Sequence, residues 1–354
     1  MTRGNGDERR FAPVFVLGSP RSGTTLLYDM LLSAGGFAVY LAESNVFNLL
    51  APRFGNFAAK DRREKLLRAW LDSKLFRATG LDSYVIEKTI VNECQNSGDF
   101  LAIVMDAITR EQGMQRWAEN SPEAILHLPL IKQQIPHALV VHIIRDGRDV
   151  AMSLGAVKYV RPFPWEERQS QLGAGVYWEW IVQRGRKYGR LLGNDYMEIH
   201  FEDLIGSPQE TLNRIGQFID HDLDYERIRH VAYGSVSKPN TSFSREAAGE
   251  GFNPVGRWKT GLAPEQLSKL ERALGKTLHE FGYVSSRGCD QGMNLELYAT
   301  RCIYRTYFEA KLWSKRNSLI RALRPELTAA EIDATVLAED HPPEVRAMLS
   351  EPQK

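Results

Sequence analysis

The segment Gly18–Thr25 reads G-S-P-R-S-G-T-T and directly follows the apolar run Phe11–Leu17. An apolar strand, a tight glycine-containing loop and a helix that opens at Thr24 would direct several backbone N–H groups and a helix N-terminus at one point. Such an arrangement binds anions. The sequence therefore predicts a phosphate site at the end of the first strand, the alternative being an ordinary strand-to-helix turn.

This loop is close to a nucleotide-binding P-loop but lacks its lysine. The pattern G-x-x-x-x-G-K-[ST] puts a lysine beside the β- and γ-phosphates and a hydroxyl on the metal, whereas here Thr24 follows Gly23 and the cation in the loop is Arg21. A P-loop kinase, which would need that lysine and Mg²⁺, is therefore disfavoured. The planar guanidinium of Arg21 suits bidentate contact with an oxyanion, unless it forms only a surface salt bridge.

Composition argues against several classes of protein. The 354 residues carry a net charge of +1, so no overall field favours nucleic acid or a membrane. The first ten residues are polar, which is unlike a signal peptide, and no stretch reaches the ~20 apolar residues of a membrane helix. The three cysteines lack metal-ligand spacing and fit a reducing compartment: Cys94, Cys289 and Cys302. We expect a cytoplasmic protein without a metal.

Strand and helix patterns alternate along the chain. This alternation indicates an α/β fold with a P-loop-like, doubly wound, mostly parallel sheet that is flanked by helices. The predicted strands include Phe37–Leu41, Ala138–Ile144 and Tyr196–Phe201. Residues 234–256, rich in Gly, Ser, Asn and Pro, are interpreted as a long functional loop.

A second strand-to-helix crossover carries Arg145 at the end of an apolar strand and Ser153 eight residues later on the following helix. Together with P-R-S-G-T-T and the later segment G-R-W-K, this pattern strongly resembles the sulfotransferases that use 3′-phosphoadenylyl sulfate (PAPS). The similarity covers roughly residues 11–284. It looks most like the bacterial branch related to tyrosylprotein and carbohydrate sulfotransferases.

The resemblance implies a reaction and a role for each motif. The protein would transfer a sulfuryl group from PAPS to an acceptor hydroxyl and release 3′,5′-ADP. In this family the glycine loop holds the 5′-phosphosulfate, and Arg21 would neutralise charge on the bridging oxygen. The residues implied for the 5′ end are Pro20, Arg21, Ser22, Gly23, Thr24 and Thr25, and those for the 3′-phosphate are Arg145, Ser153, Arg257, Trp258 and Lys259.

The general base is open between three residues. Glu43 is the first choice, because it stands 22 residues after Arg21, where the tyrosylprotein-type enzymes carry theirs. Its alternative is a solvated loop carboxylate. Glu119 and His127 are the other candidates, since cytosolic small-molecule sulfotransferases carry a catalytic histidine in this region. His127 lies among leucines, however, which favours a packed histidine.

One position departs from the family pattern. Related enzymes usually have a lysine where Asn120 stands, and that lysine assists the leaving group. Either Asn120 donates a neutral hydrogen bond, or Lys88 or Lys259 supplies the charge; the sequence leaves these open. A nucleotide-binding regulatory protein without transferase activity is therefore the competing hypothesis.

We divide the chain into a polar tail (1–10), a sulfotransferase domain (11–288) and a helical C-terminal extension (289–354). Residues 297–324 of the extension have basic and aromatic side chains at helical spacing. Such a helix can lie on an anionic membrane, but docking on the catalytic domain or on a second subunit of a homodimer is favoured. The acceptor, whether glycan, lipid, peptide or natural product, would be selected by variable segments such as 44–115 and 156–170.

Overall fold

The computed structural model describes residues 9–161, 163, 170–231, 253–284 and 293–335. Most of the predicted loop 234–256 therefore lies outside the described residues, as do the first eight residues of the tail. Only residues 253–256 of that loop are described below.

Five parallel strands form one sheet with the order β2-β3-β1-β4-β5. Helices cover both faces, so the predicted doubly wound α/β fold is confirmed. β2 ends earlier than expected, because the side-chain amide of Gln112 takes the backbone N–H and C=O of Val39 at 2.7 and 2.9 Å. The strands are Val14–Gly18 (β1), Phe37–Ala38 (β2), Arg116–Glu119 (β3), Leu139–Ile144 (β4) and Tyr196–His200 (β5).

Alternating side chains of β1 enter two different hydrophobic cores. Phe15 and Leu17 belong to the larger core on one face of the sheet, whereas Val14 and Val16 belong to the core on the other face. A parallel strand that is buried on both faces must be apolar along its whole length. The apolar run before the glycine loop is therefore explained by the central position of β1.

Helices and helical turns supply the remaining regular structure. The helix after the glycine loop begins at Thr24, as predicted, and the helix Pro264–Glu280 ends before Gly282, whose φ is +80°. The α-helices are Thr24–Ser33, Ala51–Phe54, Lys60–Leu71, Lys74–Thr79, Ser83–Glu93, Ser97–Glu111, Leu128–Gln134, Gly147–Ala156, Ser170–Gly189, Phe201–Gly206, Pro208–Ile219, Tyr225–Val231, Trp258–Gly261, Pro264–Glu280, Leu295–Arg316, Ser318–Ala322 and Ala329–Asp333. Val46–Leu50 is π-helical, and Pro122–His127 and Arg190–Asp195 are 3₁₀-helical.

The extension packs on the domain through its aromatic face. Tyr304, Phe308 and Leu312 of the helix Leu295–Arg316 are buried in the larger core. Arg301 of the same helix is 2.9 Å from the buried carboxylate of Glu179. This face docks on the domain, which is the arrangement favoured from the sequence.

The strand order determines where a ligand can bind. After β1 the chain builds β2 and β3 on one side of it and then β4 and β5 on the other side. In such a sheet the loops after neighbouring strands diverge at the point of reversal, and this leaves a crevice at the carboxyl ends of the strands. The loops after β1, β3 and β4 meet at this crevice.

Candidate active site

The glycine loop after β1 has a backbone that few sequences can adopt. Arg21 has a φ of +70° and Gly23 a φ of +94°. A Cβ atom at residue 23 would overlap the ring of Phe201, so glycine is needed for space as well as for conformation. The helix that follows begins without a side-chain cap. Its first N–H groups are therefore available for an anion.

Arg145 follows β4 and brings a buried cation to this loop. Its side chain is almost fully buried, its Nη1 donates to the carbonyl of Arg21 at 3.1 Å, and its guanidinium lies 4.4 Å from the ring centre of Phe201. Burial lowers the pKa of Arg145, while the nearby Asp149 carboxylate raises it. The positive charges of Arg257 and Arg21 lower this pKa further. The guanidinium groups of Arg21, Arg145 and Arg257 are therefore close enough to influence one another electrostatically.

The two predicted phosphate motifs are in direct contact. Nε of Arg21 donates to Oγ of Ser153 at 2.9 Å. Ser153 lies on the helix Gly147–Ala156, which begins directly after the Arg145 turn. Residues expected at the 5′ and the 3′ end of a donor are thus brought together, although they are 132 positions apart in sequence.

Asp149 holds the G-R-W-K segment, residues 256–259, against the glycine loop and the Arg145–Ser153 turn. Its two carboxylate oxygens accept hydrogen bonds from the backbone N–H groups of Gly256 and Trp258, both at 2.8 Å. The ring of Trp258 lies 3.7 Å from the guanidinium carbon of Arg148. Lys259 is exposed at the outer side of this loop. Sequence reasoning missed Asp149, although its place in R-D-G-R-D is a signal for a residue that faces the same turn.

Glu119, at the end of β3, is a buried carboxylate with one unused oxygen. Ser44 and Ser121 both donate to Oε1, the former at 2.7 Å. Among the described residues, Oε2 of Glu119, Oδ1 of Asn120 and Oγ of Ser22 are buried without a hydrogen-bond partner. Buried polar atoms of this kind normally bind a partner. These atoms lie at the end of β3 and in the loop after β1, beside the crevice.

Burial also changes the protonation of Glu119. It raises the pKa of this carboxyl to about 7, while the hydrogen bonds from Ser121 and Ser44 lower it. The side chain therefore exchanges a proton near neutral pH, as a general acid or base must. The raised pKa supports Glu119 as a general base more strongly than its position in the sequence does.

Glu43 lies on the loop between β2 and the turn Val46–Leu50 and is partly exposed. Its charge and that of Glu123 raise the pKa of Tyr159, an effect that adds to burial. The hydroxyl of Tyr159 donates to Oε1 of Glu123 at 2.9 Å. Glu43 therefore faces the segment after the Ser153 helix, one of the segments expected to contact an acceptor.

Two other candidates occupy different surroundings. His127 ends the turn Pro122–His127 and is buried near Arg316 and Lys315 of the extension; burial and these charges lower its pKa to about 3. Lys88 lies on the exposed side of the helix Ser83–Glu93. No contact described for either residue joins it to the Glu119 group.

The sequence of residues 13–225 matches the family described as "Sulfotransferase family". The chain belongs to this family. Membership confirms the expected resemblance and the activity of a transferase that moves a sulfuryl group from a PAPS-type donor. The regulatory-protein and kinase alternatives are not favoured. Within the described residues, no helix combines the length and apolar character needed to span a membrane.

Relatives and solved structures carry the same description. A "Putative protein-tyrosine sulfotransferase" of Caenorhabditis briggsae is 22% identical over 77% of this chain and 89% of its own length. A second one, of Caenorhabditis elegans, is 23% identical over 44% of this chain and 61% of its own length. The sulfotransferase domain from the curacin biosynthetic pathway is 15% identical with a TM-score of 0.47, and covers 77% of this chain and 98% of that domain. A sulfotransferase from Mycobacterium avium is also 15% identical, with a TM-score of 0.42 over 78% of this chain and 79% of that one.

Proposed function

We propose that this sulfotransferase binds PAPS across the glycine loop and the Arg145–Ser153 turn, and transfers its sulfuryl group to an acceptor hydroxyl. The observation that carries the proposal is the convergence of Arg21, Arg145 and Arg257 beside Ser153. Three guanidinium groups are more than a single phosphate group requires. They match a nucleotide that carries a charged group at both its 3′ and its 5′ position.

The residues present fit such a donor. The backbone N–H groups of Gly23, Thr24 and Thr25 and the hydroxyls of Thr24 and Thr25 would hold the 5′-phosphosulfate, and the unpartnered Oγ of Ser22 supports this. The backbone N–H of Ser22 donates to the carbonyl of Ser19 at 3.1 Å and shapes the loop instead. Arg145, Ser153 and Arg257 would hold the 3′-phosphate, with Trp258 and Lys259 at the rim. The donor supplies an activated sulfuryl group. The protein supplies fixed positive charge near the bridging oxygen, where charge develops during transfer.

We propose Glu43 as the general base, because it is partly exposed and an acceptor can reach it. Glu119 is the second candidate, and the observations that favour it are its unpartnered Oε2 and its raised pKa. The two predict different pH profiles. If Glu119 removes the proton, turnover rises with pH through about 7 as its carboxyl ionises.

For the acceptor we propose a phenolic or alcoholic hydroxyl, with tyrosine as the first to test. The names of the two Caenorhabditis relatives support tyrosine. We also propose a reducing, cytoplasmic location, which the free thiols of Cys94 and Cys302 support. Labelled PAPS with a panel of a tyrosine-containing peptide, an oligosaccharide and a lipid alcohol tests the acceptor class.

The donor assignment is tested with 3′,5′-ADP, 5′-ADP and thermal unfolding in the absence of Mg²⁺. At ~100 times its dissociation constant, 3′,5′-ADP should stabilise the fold by about 2.7 kcal/mol, and 5′-ADP by less. Arg257→Gln should reduce the difference between the two nucleotides, whereas Lys276→Gln, an exposed charge on the helix Pro264–Glu280, should not. Equal shifts from both nucleotides would remove the 3′-phosphate assignment.

A further inference from the structure

A cavity of about 450 Å³ lies on the flank of the domain, between the extension and the segment around His127. We call it the flank cavity. Its size is within the range of small-molecule sites. None of the residues proposed to hold the donor lines it. Its lining residues are Phe47, Ala51, Pro52, Gly55, Asn56, Phe57, Gln95, Asn96, Ser97, Leu126, His127, Pro129, Leu130, Gln134, Tyr188, Arg316 and Arg321.

The charged side chains that line the flank cavity are positive. Arg316 and Arg321 both reach it from the extension, and among the described residues that line it none carries a carboxylate. Partial burial lowers the pKa of both arginines, and the neighbouring cations Arg184 and Arg62 lower it further. Glu309, whose charge raises the pKa of Arg316, is paired with Arg184 at 2.5 Å. The cavity therefore favours a negative charge.

The two arginines are fixed in place by the domain. Nη2 of Arg316 donates to the carbonyl of Leu126 at 2.8 Å, and Nε of Arg321 donates to the carbonyl of Pro52 at 2.9 Å. A guanidinium has five N–H donors. Arg316 also makes a side-chain hydrogen bond with Tyr188. These contacts orient each group and leave it further N–H groups for an anion.

The remaining wall is mainly apolar and neutral. Phe47, Phe57 and Leu126 are buried residues that line it. The pKa of His127 is lowered to about 3, so its imidazole is uncharged at neutral pH. A ligand that matches these surroundings has an apolar body and one anionic end.

We propose that the flank cavity binds an amphipathic anion, an apolar chain or ring that ends in a carboxylate or a phosphate, and that Arg316 and Arg321 hold the anionic end. The turn Pro122–His127 connects this cavity to the site, because Ser121, directly before the turn, donates to Glu119. At ~2 Å per residue the turn spans about 10 Å. The cavity is therefore close to the catalytic crevice and separate from the donor site.

The test is calorimetric binding of decanoate to the full chain, with decan-1-ol as the uncharged probe. Decanoate should bind at least ten-fold more tightly than the alcohol. Arg316→Gln and Arg321→Gln should each weaken decanoate binding roughly ten-fold or more, the loss expected for one hydrogen bond between charged groups. Lys311→Gln, an exposed charge on the same helix, is the matched control and should leave binding unchanged.

A second variant separates a local effect from a folding defect. Ala51→Leu adds volume to the cavity lining without removing a charge, and should abolish decanoate binding while the protein still binds 3′,5′-ADP. Decyl phosphate is compared with decanoate to identify the preferred anion. Equal binding of decanoate and decan-1-ol, unchanged binding in both arginine variants, or competition between decanoate and 3′,5′-ADP would each overturn the proposal. Loss of 3′,5′-ADP binding by the unaltered chain would instead contradict the donor site.

Discussion

The donor side and the acceptor side of the crevice are built in different ways. On the donor side, Arg21 donates to Ser153 and accepts a hydrogen bond from Arg145 through its carbonyl, and the three residues follow the adjacent strands β1 and β4. On the acceptor side, Glu43 lies on a loop and Glu119 ends β3, and the hydroxyl of Ser44, the residue after Glu43, donates to Glu119. The residues proposed for the donor are therefore joined by direct hydrogen bonds of Arg21, whereas the residues proposed for the acceptor are joined through the hydroxyl of a neighbouring serine.

The largest expected effect concerns the acceptor side. If Glu43 removes the acceptor proton, Glu43→Gln should lower turnover by ~10²–10⁴ because the amide cannot accept a proton. Its affinity for 3′,5′-ADP should stay nearly constant, since glutamine keeps the size of the side chain and part of its hydrogen bonding. Steady-state kinetics with labelled PAPS and nucleotide titration measure the two quantities.

Glu119→Gln and His127→Asn are the comparison variants for this experiment. Only the true base should combine lost turnover with intact nucleotide binding and stability. Normal turnover of Glu43→Gln together with a large loss in Glu119→Gln would transfer the role of base to Glu119. A loss of nucleotide binding in either glutamate variant would show that the two sides of the crevice are not independent.

A smaller effect is expected on the donor side from Arg21→Lys. Lysine keeps the charge but loses the planar fork and the Nε contact to Ser153. One hydrogen bond between charged groups contributes about 1.5–3 kcal/mol, so turnover should fall by roughly 10- to 150-fold while the fold remains stable. Arg110→Lys, at an exposed position of the helix Ser97–Glu111, is the control. Full activity of Arg21→Lys would mean that the loop does not stabilise the developing charge.

The difference between the donor side and the acceptor side also explains which features could be predicted from the sequence. A strand, a glycine turn and a helix are local, so Gly18–Thr25 and Arg145–Ser153 predicted their own strand-to-helix structure. The hydrogen bond between Arg21 and Ser153 is a finding of the tertiary structure. The end of a strand or helix is harder to predict where a side chain hydrogen-bonds to its backbone. The strand at Phe37 is shorter than predicted because Gln112, from a distant helix, bonds to Val39.

The sequence placed Glu43 first by its position, but it could not show how buried the acceptor-side residues are or which partners they have, because both depend on the tertiary structure. Glu119 gains its raised pKa from burial, which is opposed by hydrogen bonds from the hydroxyls of Ser121 and Ser44 and from the backbone of Ser44. The surroundings of His127 include the extension, which lies almost 190 residues away in the chain. Such long-range contacts leave no periodic pattern in the sequence.

The smallest expected effect is the dependence of stability on pH through Glu119. Its pKa in the folded protein is about 7, above the ordinary value of 4.5, because burial favours the neutral form. The folded state therefore holds a proton that the unfolded state has lost, and the associated stability is full below pH 4.5 and is lost as the pH rises through about 7. Between about pH 6 and 8 this group should account for a loss of roughly 1 kcal/mol in the free energy of unfolding.

Urea unfolding of the wild-type chain and of Glu119→Gln, without nucleotide, measures the effect. The glutamine variant should lose less stability over this interval, since its amide does not titrate. Parallel pH curves for the two proteins would mean that Glu119 does not change its protonation on unfolding over this interval, and its raised pKa would then no longer support it as the general base.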